Sequence, residues 1–108
     1  MPSSRAARMA AFLAEHHTRP VRPAEAARMV GLNPNYAAGL FLRHFGMTPT
    51  DYLTALRVAH AQRLLLSSEL GVLEVALESG FGSPSRFYAA FTRLVGESPG
   101  AFRRRLLG

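Results

Sequence analysis

Apolar residues return along this chain every three to four positions with polar residues between them, the rhythm of amphipathic helices. Nowhere does a sustained two-residue alternation of β-branched side chains suggest a strand. Near the start, Ala6, Met9, Ala10 and Leu13, with Phe12 beside them, form one stripe and predict a helix over 4–17. Farther on, Tyr52, Leu53, Leu56, Ala59 and Leu64 predict a long helix over 49–67 with these residues on one side. The fold class expected is all-α.

Four dipeptides sharpen the boundaries: Asn33-Pro34, Thr48-Pro49, Ser83-Pro84 and Ser98-Pro99. In each, a side chain able to accept a bond from an orphan N–H precedes a proline, which loses nothing at the first helical position. They predict helices over 34–45, 49–67, 84–95 and 99–107. Asp51 suits the positive end of the second of these. Shorter helices are expected over 23–30, opened by Pro23, and over 72–79. Gly31, Gly46, Gly71, Gly80 and Gly96 fall between or at the ends of these segments, where a left-handed backbone is often required.

The pattern then repeats. Ala27-x-x-x-Gly31-Leu32 is echoed by Ala76-x-x-x-Gly80-Phe81. Phe41-x-Arg43-x-x-Gly46-x-Thr48-Pro49-x-x-Tyr52 is echoed by Phe91-x-Arg93-x-x-Gly96-x-Ser98-Pro99-x-x-Phe102, with one residue inserted between the halves near Gly82. Short helix, glycine turn and second helix make the helix-turn-helix pattern, whose second helix can lie in a major groove. An ordinary helical hairpin is the alternative for one unit, and two units in one basic chain weigh against it. The expected division is a first subdomain over 1–48, a linker helix over 49–67 and a second subdomain over 68–108.

Charge adds a partner to this picture. The formal net charge is +6, with 13 basic residues, all arginine, against 7 acidic ones. Such a balance suits a polyanion such as nucleic acid or an anionic membrane surface, and it also arises in an arginine-rich proteome. Arginine favours phosphate, because its guanidinium pairs two oxygens at once. Hydrophobic residues make up 48% of the chain, enough for a core. No apolar run approaches the ~18 residues of a membrane span, and no secretion signal is visible. With no cysteine there is neither a disulfide framework nor a thiolate metal site, and a cytoplasmic location is expected. His16, His17, His44 and His60 form no pair at ligand spacing, so no metal is expected. No catalytic constellation stands out, and neither an enzyme activity nor a cofactor is expected.

The residues carry a resemblance. From Ala26 to Arg104 the chain resembles the DNA-binding domain of the AraC/XylS family of bacterial transcription regulators. It does so through Phe41 to Tyr52, then Arg57, Ala61, Leu64 and Leu65, and then Val75 to Phe81. Phe87, Phe91, Gly96, Ser98-Pro99 and Phe102-Arg103 complete the match. The resemblance implies seven helices: two homeodomain-like helix-turn-helix subdomains joined by the long helix. It implies a regulator, usually an activator, that binds double-stranded promoter DNA in two successive major-groove segments. RNA polymerase is a further partner, and no membrane is involved. An effector enters only if a separate sensing domain exists in a full-length protein, since the helical pattern here leaves no room for one. A linker of about 19 residues spans ~28 Å at ~1.5 Å per residue, the scale of the ~34 Å between successive groove segments.

On the first recognition helix, Ala37, Phe41 and Phe45 are expected inward and Asn35, Ala38, Gly39 and Leu42 outward. The family often has Arg where this chain has Gly39 and Leu where it has Ala37. On the second, Phe87 and Phe91 are expected inward and Ser85, Arg86, Tyr88, Ala89 and Thr92 outward. Ala89 again stands where the family often has Arg. The base-facing set is therefore Asn35, Ala38, Gly39, Ser85, Arg86 and Ala89. Arg86, the one long bidentate donor, is the leading base reader, with a phosphate clamp as its alternative. Phosphate contacts are expected from Asn33, Arg43, Arg57, Ser83, Tyr88, Thr92 and Arg93. For Arg57 a structural bond, and for Arg43 and Arg93 solvation or a salt bridge, are the alternatives. Arg103 to Arg105 are expected as a charged, solvated end. Two other functions stay open: a protein-interaction module that lost base reading, and a DNA-docking domain of a larger enzyme.

Overall fold

The computed structural model describes residues 4–108, so the first three residues of the expected first subdomain lie outside the described residues. Seven helices follow one another: α1 Arg5–His16, α2 Pro23–Met29, α3 Pro34–Phe45, α4 Pro49–Ser67, α5 Val72–Glu78, α6 Pro84–Val95 and α7 Pro99–Leu107. The described residues contain no strand. Each expected cap is made. Asn33 Oδ1 accepts from the Asn35 and Tyr36 N–H groups, Thr48 Oγ1 from Asp51, Ser83 Oγ from Arg86 and Ser98 Oγ from Ala101.

The chain divides into two compact units, one ending at Thr54 and the other spanning Ala55–Gly108, with α4 running through the boundary. In the first unit α1 packs on α2 and α3, and α2 on α3. Ala6, Met9, Ala10 and Leu13 are buried as the helical period requires, while Phe12 is half-buried beside the His16 ring. In the second unit α6 packs on α5 and α7, around a core that includes Phe81, Phe87, Phe91 and Phe102 with Val58, Ala61 and Leu65 from α4.

The turn is built alike in both units. The N–H of Leu32 donates to the Ala27 carbonyl and that of Gly31 to Arg28. Phe81 donates to Ala76 and Gly80 to Leu77. This crossed pair closes a helix through a left-handed residue, and Gly31 and Gly80 have φ of 73° and 97°. Ala27 and Ala76 are buried beneath these turns. At the other end of each short helix a glutamate caps: Glu25 accepts from the Arg22 N–H at 2.8 Å and Glu74 from Gly71 at 3.2 Å. The bond from Arg22 is the main cause that holds the Glu25 carboxyl below its ordinary range.

Four sequence expectations are corrected. Gly71 is not left-handed; at φ −63° it is the extended residue that starts α5. Phe45 is 38% exposed, resting its ring against Phe41 and Tyr52 with its far side open. It is the last residue of α3, just before the left-handed turn at Gly46. Beyond Pro49 at its start, the buried residues of α4 are Leu53, Val58, Ala61 and Leu65, whereas Tyr52, Leu56, Ala59 and Leu64 are only half-buried. Leu53 is buried with the first unit and the other three with the second. Five residues at about 100° each place Leu53 and Val58 on different stripes.

The fourth correction concerns the arginine run at the end. Arg103 is not solvated: its guanidinium donates to the carbonyls of Leu65, Ser68 and Leu70 at 2.9, 3.2 and 2.7 Å. It thus satisfies the Leu65 carbonyl in the last turn of α4 and two carbonyls of the loop that follows. Arg105 pairs with Glu97 at 2.6 Å, which raises the pKa of its guanidinium further, and lies over the Phe102 ring. Arg104 is exposed as expected.

Candidate nucleic-acid interface

The second helix of each helix-turn-helix unit carries the candidate surface. α3 buries Ala37 and Phe41 and α6 buries Phe87, Ala90 and Phe91, which fixes the faces left outward. On α6, Ser85, Arg86, Tyr88, Ala89 and Thr92 are all exposed, so the helix offers one continuous outer strip. Arg86 stands in its first turn. The Arg86 N–H is held by Ser83, and no bond holds its guanidinium among the described residues. Ser83 has spent an acceptor on that cap but keeps its O–H as a donor.

α3 is different. Asn35 and Leu42 are exposed, whereas Ala38 and Gly39 are half-buried. Asn33 uses Oδ1 as cap and keeps its amide N–H₂ to donate. The sequence reading passed over Tyr36, which is 58% exposed in the first turn. The repeat carried the signal: Tyr36 occupies in α3 the place of Arg86 in α6. The leading positions of the two helices are thus an aromatic phenol and a guanidinium, and they suit different chemical partners.

Of the arginines assigned to phosphate, Arg43 and Arg93 are exposed. Arg57 is half-buried, and burial lowers the pKa of its guanidinium. It also engages groups within the protein. Among the described residues no three His, Cys, Asp or Glu side chains gather as a metal site, and no helix is long and apolar enough to cross a membrane.

Two helix-turn-helix units, each with a capped second helix free on its outer face, in a chain of net charge +6, define a class of nucleic-acid-binding domain. The comparisons with known proteins narrow it. A helix-turn-helix domain family matches residues 26–105. The melibiose operon regulatory protein of Escherichia coli K12 is 40% identical over 96 residues, covering 89% of this chain and 32% of that protein. The transcriptional activator RhaR of Klebsiella pneumoniae is 40% identical over 65 residues, covering 60% of this chain and 23% of that protein. Among solved structures, the DNA-binding domain of the global transcriptional factor AdpA, in complex with a target DNA, superposes with a TM-score of 0.89. It is 32% identical, with 95% of this chain and 93% of that one covered. The chain belongs to the AraC-type helix-turn-helix family, the DNA-binding domains of transcription regulators. It spans about a third or less of the length of the relatives it matches.

Proposed function

We propose that this chain reads a specific promoter sequence in double-stranded DNA by laying α3 and α6 into two successive major-groove segments, and so activates transcription. The observation that carries this reading is the matched pair of helix-turn-helix units, each ending in a capped helix whose outer face is free. Asn35, Ala38, Gly39, Ser85, Arg86 and Ala89 face the bases. Asn can pair with adenine, Arg with guanine, and the Ala38 or Ala89 methyl can meet a thymine methyl. Asn33, Ser83, Tyr88, Thr92 and Arg93 hold phosphates. The partial burial of Arg57 and its engagement within the protein favour a structural role for it.

RNA polymerase is the protein partner proposed beside DNA. α5 presents Leu73 and Leu77 outward with Glu74 and Glu78, an acidic and apolar strip in an otherwise basic chain. Phosphate repels such a strip, and a basic protein surface suits it. An activator's setting is cytoplasmic, and an effector acts through a sensing domain elsewhere in a longer protein. Catalysis has no part in this reading.

Salt dependence tests the proposal. If several arginines neutralise phosphates, log affinity for duplex DNA falls against log salt with a slope of ~0.9 per phosphate contacted. A flat response overturns it.

A further inference from the structure

Beyond this reading, and resting on it, one feature of α3 assigns a role to Arg43. Past its first turn, where Asn35 and Tyr36 are exposed, the outer strip of α3 consists of the half-buried Ala38 and Gly39 and the exposed Leu42. Glycine is the poorest helix former after proline, so Gly39 weakens α3 relative to alanine. Crowding by neighbouring elements does not require it. Apart from the helix's own backbone and chain neighbours, a Cβ there would come within 4 Å of one atom only, Nη1 of Arg43, at 3.3 Å.

A helical side chain leans over the turn before its own Cα, so Arg43 reaches back toward the middle of the helix. Its guanidinium therefore lies over the bare backbone of Gly39, on the strip that faces outward. Arg43 is exposed. The ion pairs found among the described residues, Arg19–Glu25 and Arg105–Glu97, do not involve it. The repeat-equivalent pair on α6 is Ala89 and Arg93, where a methyl group already stands at the position of Gly39. α6 instead carries Arg86 in its first turn, where α3 has Tyr36.

We infer that Arg43, seated over Gly39, is the guanine-reading donor of the first recognition helix rather than a phosphate clamp. Its fork donates to guanine O6 and N7, the bidentate pattern that arginine matches best in the major groove. Gly39 is the positioning residue: leaving out its side chain brings the guanidinium down onto the groove-facing strip. The two units thus read guanine from different places, α6 from its first turn and α3 from a residue one turn past its middle.

The wild-type chain first selects its preferred duplex from a random-sequence pool. Failure to select any sequence overturns the DNA-reading proposal itself, and this inference with it. Given a selected duplex, Arg43→Ala should narrow its preference over a scrambled duplex by about 5- to 150-fold. Arg43→Lys should not restore it, because a lysine lacks the fork. Repeating the selection with Arg43→Ala should lose a guanine at one place in the site, and with Arg86→Ala at another. Gly39→Leu, with helix content checked by circular dichroism, should reproduce the loss, and adding Arg43→Ala to it should change little more. If Arg43→Ala weakens both duplexes equally while its salt slope drops by about one contact, Arg43 is a phosphate clamp and the inference fails. It fails also if Gly39→Leu keeps full discrimination.

Discussion

Arg103 on α7 donates through Nε to the carbonyl of Leu65 on α4 at 2.9 Å, tying the last helix to the end of the long one. Its two other donors reach Ser68 and Leu70 in the loop that follows. Arg103→Ala removes all three bonds and leaves half-buried carbonyls without this donor. The variant should be less stable by about 1.5–3 kcal/mol, the range for bonds to a charged group. Arg103→Lys should recover only part of that, since an ammonium cannot span three carbonyls set for a planar fork. Urea unfolding of the three proteins checks the order, and equal midpoints would refute it.

Ser79 makes the opposite prediction. It is fully buried and its hydroxyl has no hydrogen-bond partner among the described residues. The equivalent residue in the first unit is Val30, also buried, which has no such polar atom. An unsatisfied buried hydroxyl costs ~1–3 kcal/mol. Ser79→Ala should therefore raise stability by about 1 kcal/mol in thermal or urea unfolding without changing DNA affinity; a loss of stability would contradict the account.

Arg86 carries the base reading proposed for α6. Arg86→Ala should reduce the preference for the selected duplex over a scrambled one by ~1–3 kcal/mol. Asn35→Ala should do the same to a smaller degree. Competition binding at fixed salt measures both. If Arg86→Ala weakens the two duplexes alike, the residue clamps a phosphate, and α6 reads DNA by shape or methyl contact.

The two-segment reading makes α4 a spacer. Four residues inserted between Thr54 and Ala55 add ~6 Å at ~1.5 Å per residue, and about 40° of rotation. The insertion falls between Leu53, buried with the first unit, and Val58, buried with the second. Specific affinity should collapse while non-specific binding persists. Unchanged specific binding would mean that one unit alone reads the sequence.

The helix boundaries were legible because their signals are local. Asn33-Pro34 and Ser83-Pro84 each hold a cap acceptor and a proline in adjacent residues, and the bonds they imply close within three residues. The role of Arg103 was not legible, because its partners Leu65 and Leu70 stand more than thirty residues earlier and only the folded second unit brings them near. The buried stripe of α4 was not legible for a related reason: a single amphipathic face is not what buries it, because Leu53 and Val58 serve two cores. On α6 the expected outer residues are exposed because the large rings of Phe87 and Phe91 fix the helix's rotation. On α3 small residues at Ala38 and Gly39 gave little pattern to follow, and the position of Arg43 depends on a missing side chain.

The border between the two units falls inside α4, between Thr54 and Ala55, and not in a loop. Duplicated modules are commonly strung on flexible linkers that a protease can enter and that let each module survive alone. Here a cut at the border would leave the first unit with six residues of α4, under two turns, and Leu53 near their frayed end. The second unit would begin on a frayed end, just ahead of Val58, Ala61 and Leu65. The two copies of one motif therefore share one helix, and a break in α4 is expected to weaken both at once.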